Sequence, residues 1–140
     1  MKNQVLVSAR SIQLLRVMLS GIFLVASFNH LLNATKTVQR IESASFKGIA
    51  YFFGDPKLLV ILSGIIMFIA GFALLIGFKT RISASILALV LLPITLTIQV
   101  GQITTLGPLF KNIAIMGGLI FFIINNIKIN NKNHENIHYK

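Results

Sequence analysis

Residues 58–77 contain twenty consecutive positions without a charged side chain, and this run decides what kind of molecule the chain can be. A bilayer core is about 30 Å thick and takes about 20 helical residues at roughly 1.5 Å each. Lipid offers backbone amides no hydrogen-bond partners, so a spanning segment must satisfy them internally. Three further stretches meet or approach that length: residues 12–32, 82–100 and 108–127. In the last of them Lys111 stands in the first turn and must snorkel toward headgroups for the segment to span. The four runs predict an all-α membrane protein, a four-transmembrane-helix bundle forming a single domain over residues 1–140.

The connections set the order of neighbours. Residues 78–81 form a four-residue turn, which makes the second and third segments antiparallel neighbours, and residues 101–107 join the third to the fourth almost as briefly. The first connection is longer. Within residues 33–57, Val38, Ile41, Ile49 and Phe52 fall on one helical face with Ser45 between them, while Arg40, Ser43 and Lys47 lie on the other. That pattern predicts an interfacial amphipathic helix between the first two spans, with Tyr51, Phe52 and Phe53 anchoring its end at headgroup level. The Asn-, Lys- and His-rich tail over residues 129–140 is expected to be mobile.

Charge then separates lipid from nucleic acid as the partner. Thirteen Lys and Arg stand against three acids, Glu42, Asp55 and Glu135, for a net +10. The basic residues flank the apolar runs instead of forming one patch, so the bilayer is the expected partner and nucleic acid is not. Eight of them lie on the side of the termini and five on the other: Lys36, Arg40, Lys47, Lys57 and Lys111. The positive-inside rule therefore predicts a multi-pass membrane protein with both termini in the cytoplasm. Residues 1–27 have the basic-then-apolar order of a signal peptide, but no small-x-small cleavage site follows, so the first run is read as a span.

No cysteine is present, which excludes disulfides, thiol relays and cysteine-held metal clusters. No Ser-His-Asp, P-loop or GxGxxG pattern occurs, and no catalytic residue is assigned. His30 with Asp55 falls short of a metal-ligand set, as does the tail pair His134 and His138, so no metal is expected. Two polar features remain. Arg16, Ser20, Phe23, Ser27 and His30 fall within about 40° of one line on the first helix, a stripe that serves either packing or a site. Because the chain alternates direction, Asn29, His30, Asp55, Lys57, Gln99, Gln102, Lys111 and Asn112 all reach the same level, away from the termini. Asn29, His30, Gln99, Gln102 and Asn112 are the ligand-binding candidates, with Arg16 and Lys111 as intramembrane charges. The bland alternative is that helix ends near headgroups are ordinarily polar. Pro93 should bend the third segment, and Gly117-Gly118 should permit close helix packing.

In their order and spacing, LLRVMLSGIFLVASFNHLL over residues 14–32, GFALLIGFKTR over 71–81 and KNIAIMGGL over 111–119 resemble the DoxX-like family, as does the Gly-Asp-Pro turn at residues 54–56. The resemblance covers about 110 residues and implies a four-helix membrane bundle in which Arg16, Asn29, His30, Lys111 and Asn112 occupy motif positions. The family takes its name from a subunit of an archaeal thiosulfate:quinone oxidoreductase. A glutamate that many relatives carry shortly before the Gly71 motif is here Met67 or an apolar neighbour, so no proton-linked role is carried over. The leading expectation is an accessory, non-catalytic subunit of a membrane complex, partnered by lipid and by other membrane subunits or its own copies. No cofactor is assigned except a quinone in the first rival reading, where His30 and Gln99 would hydrogen-bond the two ring carbonyls. The second rival is a small-solute transporter, supported only by Pro93 and the polar stripe.

Overall fold

The computed structural model describes residues 8–101 and 103–125. Six α-helices follow one another: α1 (Ala9–Leu32), α2 (Ala34–Glu42), α3 (Lys47–Phe53), α4 (Pro56–Ile76), α5 (Thr80–Ile98) and α6 (Leu106–Ile124), the last entered through a 3-10 turn at Ile103–Thr105. Among the described residues there is no strand. α1, α4, α5 and the segment Ile103–Ile124 are long and apolar enough to cross a membrane. The last two expected residues of the fourth span, 126 and 127, lie outside the described residues, as does the tail.

Local chemistry explains the helix ends. Asp55 caps α4 through Oδ2, which accepts from the Leu58 amide at 3.3 Å, and Pro56 follows at the first helical position, where its missing N–H costs nothing. At the other end Gly77 adopts a left-handed φ of 81°, so the Phe78 amide reaches back to the Ala73 carbonyl at 2.8 Å. Lys79 is also left-handed, at φ 42°, and the chain reverses into α5 within the expected short turn.

α1 packs mainly on α4, α4 on α5 and α5 on α6, while α6 meets α1 over a much shorter stretch. The order round the bundle is thus α1, α4, α5, α6. Phe23, Leu74, Leu87, Leu119 and Phe122 fill its centre. Between 22% and 33% of each span is buried, and Leu14, Met18, Ile69, Leu89 and Ile124 point outward. An apolar surface that extensive fits lipid and not water. Since lipid tails are as apolar as leucine, association of the helices depends on close contact. A Cβ at Gly64 would stand 3.0 Å from the His30 Cβ, and one at Gly118 3.0 Å from a Leu19 methyl, so both glycines mark close approaches to α1. Gly117 has open space instead and takes no part in packing.

The amphipathic helix expected between the first two spans is in two pieces, α2 and α3, broken at residues 43–46. The break lets both halves fold over the bundle end: Ile41 and Ala50 join Val60 of α4 in a second small apolar cluster, with Val38 and Ile98 against it. Phe52 does not join that cluster and is 83% exposed. α5 continues through Pro93 as one helix, although the proline cannot donate to the Leu89 carbonyl.

Candidate functional site

At the end of the bundle closed by α2 and α3, the spanning helices stop short of one another and leave a cavity of about 540 Å³. The last turn of α1 contributes Asn29 and His30, and Asn33 follows at its C-cap. α2 adds Lys36, Thr37 and Arg40, the end of α5 adds Gln99, and the first turns of α6 add Lys111 and Asn112. Deeper in the bundle the walls become apolar, with Phe23, Met67, Leu91 and Ile115.

His30 and Asn112 are each held by a side-chain hydrogen bond. His30 Nδ1 lies 2.9 Å from Ser63 Oγ, and the Ser63 hydroxyl donates to the Val60 carbonyl at 2.8 Å. A hydroxyl has one proton, so with Ser63 donating to Val60 the ring nitrogen Nδ1 is the donor to Ser63, and in that neutral tautomer Nε2 is an acceptor. Asn112 Nδ2 donates to Thr95 Oγ1 at 2.9 Å, and the Thr95 hydroxyl donates in turn to the Leu91 carbonyl at 2.7 Å, which ties α6 to α5. Gln99 is 8% exposed; its backbone carbonyl accepts from Thr105 Oγ1 at 2.7 Å, but Oε1 is buried with no donor among the described residues. A buried acceptor left in that state costs roughly 1–3 kcal/mol.

A second, apolar cavity of about 310 Å³ lies under α2 and α3 against α4 and α5, where Leu89 and Pro93 line it. His30, Thr37, Ile94 and Ile98 border both spaces and form the wall between them.

The residues singled out from sequence thus divide. Asn29, His30, Gln99, Lys111 and Asn112 line one cavity. Gln102 lies outside the described residues. Asp55 is the α4 cap and does not line either cavity. Arg16 sits at the opposite end, where its guanidinium lies against Gly77 and its Nε is buried without a partner among the described residues. Ser20 and Ser27 of the stripe are fully buried, and their hydroxyls donate to the Arg16 and Leu24 carbonyls at 2.7 Å, which is a packing role. Among the described residues no three His, Asp or Glu side chains gather into a metal-ligating group, and His134 and His138 lie outside them.

Sequence reasoning missed Asn33, Lys36, Thr37 and Arg40 on the cavity wall. The signal was present: Asn29, Asn33, Lys36 with Thr37, and Arg40 follow i, i+4, i+7 or i+8, and i+11 spacing, one helical face carried across the α1/α2 junction. The charge is one-sided as well, since Lys36, Arg40 and Lys111 line the cavity and no carboxylate does.

Comparison with known proteins gives a family match. The DoxX family model covers residues 11–100, from the first turn of α1 to just beyond α5, while no curated protein and no solved structure matches the chain.

Proposed function

Since the chain belongs to the DoxX family, we propose that it is an accessory subunit of a membrane complex, holding a membrane-borne molecule in the cavity at the α2/α3 end without transforming it. The observation that carries this reading is the cavity itself, polar at one end with Asn29, Gln99 and Asn112 and apolar at the other with Phe23, Met67 and Ile115. That gradient of polarity suits an amphiphile. The proposed setting is a bacterial inner membrane with both termini in the cytoplasm, as the distribution of Lys and Arg favours. Mild-detergent purification followed by identification of co-purifying proteins and small molecules tests this. A stoichiometric amphiphile reduced in Gln99→Ala, together with a partner subunit, is the expected result; neither a bound molecule nor a partner would overturn the reading.

A second reading, a quinone-interacting subunit, draws on the hydrogen-bonding states of the site. In the tautomer set by Ser63, His30 Nε2 accepts from a ring hydroxyl, and the Gln99 side-chain amide, which carries both a donor and an acceptor, meets the oxygen across the ring. Titration of a hydroquinone analogue into wild type, His30→Ala, Gln99→Ala and the double variant separates this reading from the first. Groups serving one small ligand depart from additivity, and two unrelated helix ends do not. No saturable binding to wild type would remove the quinone reading and leave the accessory one.

A further inference from the structure

We infer that the molecule held at the α2/α3 end is an acidic glycerophospholipid, with its phosphodiester between Lys36, Arg40 and Lys111. The inference rests on the reading of that cavity as a ligand site and adds the charge and class of the ligand.

The first argument is electrostatic. Two cations from α2 and one from α6 converge on one space, no Asp or Glu lines it, and none of the three has an ion-pair partner among the described residues. Lys36 and Arg40 are moreover i, i+4 neighbours on a nine-residue helix, an arrangement that destabilises an isolated helix unless an anion lies between the charges. Under the orientation favoured by the Lys and Arg distribution, this is also the end where membrane topology discourages cations, so insertion does not account for their presence. A bound anion does.

The second argument distinguishes a lipid from a free anion. Below the cations the cavity walls are Phe23, Met67, Leu91 and Ile115, and Ile22, which also lines it, is 42% exposed on the outside of α1. The space therefore reaches the lipid-facing surface along the α1/α6 side, where the two helices make little contact. A free phosphate would leave those apolar walls uncovered, whereas an acyl chain entering from the bilayer would cover them.

The test is native mass spectrometry of the full chain in a zwitterionic detergent, titrated separately with phosphatidylglycerol, phosphatidylcholine and inorganic phosphate. The variants are Lys36→Gln/Arg40→Gln/Lys111→Gln and, as a control that removes charge at the other end, Lys79→Gln/Arg81→Gln. Phosphatidylglycerol is expected to bind at least about tenfold tighter than phosphatidylcholine, since basic residues near an anionic headgroup contribute at that scale. The triple variant should bring the two lipids to the same affinity, while the control retains the preference. Equal affinities in wild type, or a preference that survives in the triple variant, would overturn the inference. Inorganic phosphate binding as tightly as phosphatidylglycerol would also overturn it in favour of a free anion. Saturable binding of a hydroquinone or of phosphatidylcholine without any acidic preference would overturn it while leaving the accessory reading intact; no amphiphile binding at all would remove both.

Discussion

Arg16 lies over Gly77 so closely that a methyl group placed on the glycine would stand 3.0 Å from the guanidinium carbon. The contact joins the first turns of α1 to the C-terminal turn of α4, where carbonyls left over at the helix end give a negative partial charge.

Gly77→Ala should therefore destabilise the bundle twice over. A non-glycine residue at φ 81° costs about 1–2 kcal/mol, and its Cβ would push the guanidinium away. Thermal unfolding in detergent should show the loss, with Gly117→Ala, which has open space around it, unchanged. Equal melting of both variants would contradict the account.

Arg16→Leu should insert normally but unfold more readily, because the cation at the end of α4 contributes on the order of 0.3–1 kcal/mol and up to about 2 in partly buried geometry. Unchanged stability in detergent would mean that Arg16 only reaches toward headgroups.

Asn112→Ala and Thr95→Val remove opposite halves of one interhelical hydrogen bond, 2.9 Å long. Each should lower stability, with a coupling near the 0.6 kcal/mol average for such bonds between membrane helices. Strict additivity in the double-variant cycle would show that the bond contributes nothing of its own.

Reporter fusions after Lys140 and within residues 78–81 should report the cytoplasm, and fusions within residues 36–47 the opposite side. Reversal of every signal would overturn the orientation, and disagreement between Lys140 and the 78–81 turn would overturn the path of the chain through the membrane.

The four spans were legible because each is a long apolar run with few interior breaks, and in lipid only a helix satisfies such a run. Their ends agree with the structure within a few residues, and Gly54, Asp55, Pro56 and Gly77 account for both ends of α4. The common level of Asn29, His30, Gln99, Lys111 and Asn112 followed from alternating direction alone, although only coordinates could place them around one space. The connector was read less well. Periodicity fits Val38 through Phe52 to one helix, but it carries no information about a break at residues 43–46, which is set by how α2 and α3 dock on α4 and α5. For the same reason Arg40, exposed as the pattern has it, was not seen to border the cavity. Gln99 Oε1 is a different case, since an unsatisfied atom is a property of the surroundings and has no signature in a string of residues.

The buried serines of α1 bear on whether the two ends of the bundle communicate. Ser20 and Ser27 each keep their single hydroxyl proton on a carbonyl of their own helix, and Phe23, 2% exposed, fills the space between them. Seven positions of helix separate the two hydroxyls, about 10 Å at 1.5 Å per residue. A proton relay needs oxygens within bonding reach of one another, and this row leaves them far apart with an aromatic ring in the gap. The serine row of α1 therefore offers no continuous chain of hydroxyls from the Lys36–Arg40–Lys111 cavity to Arg16.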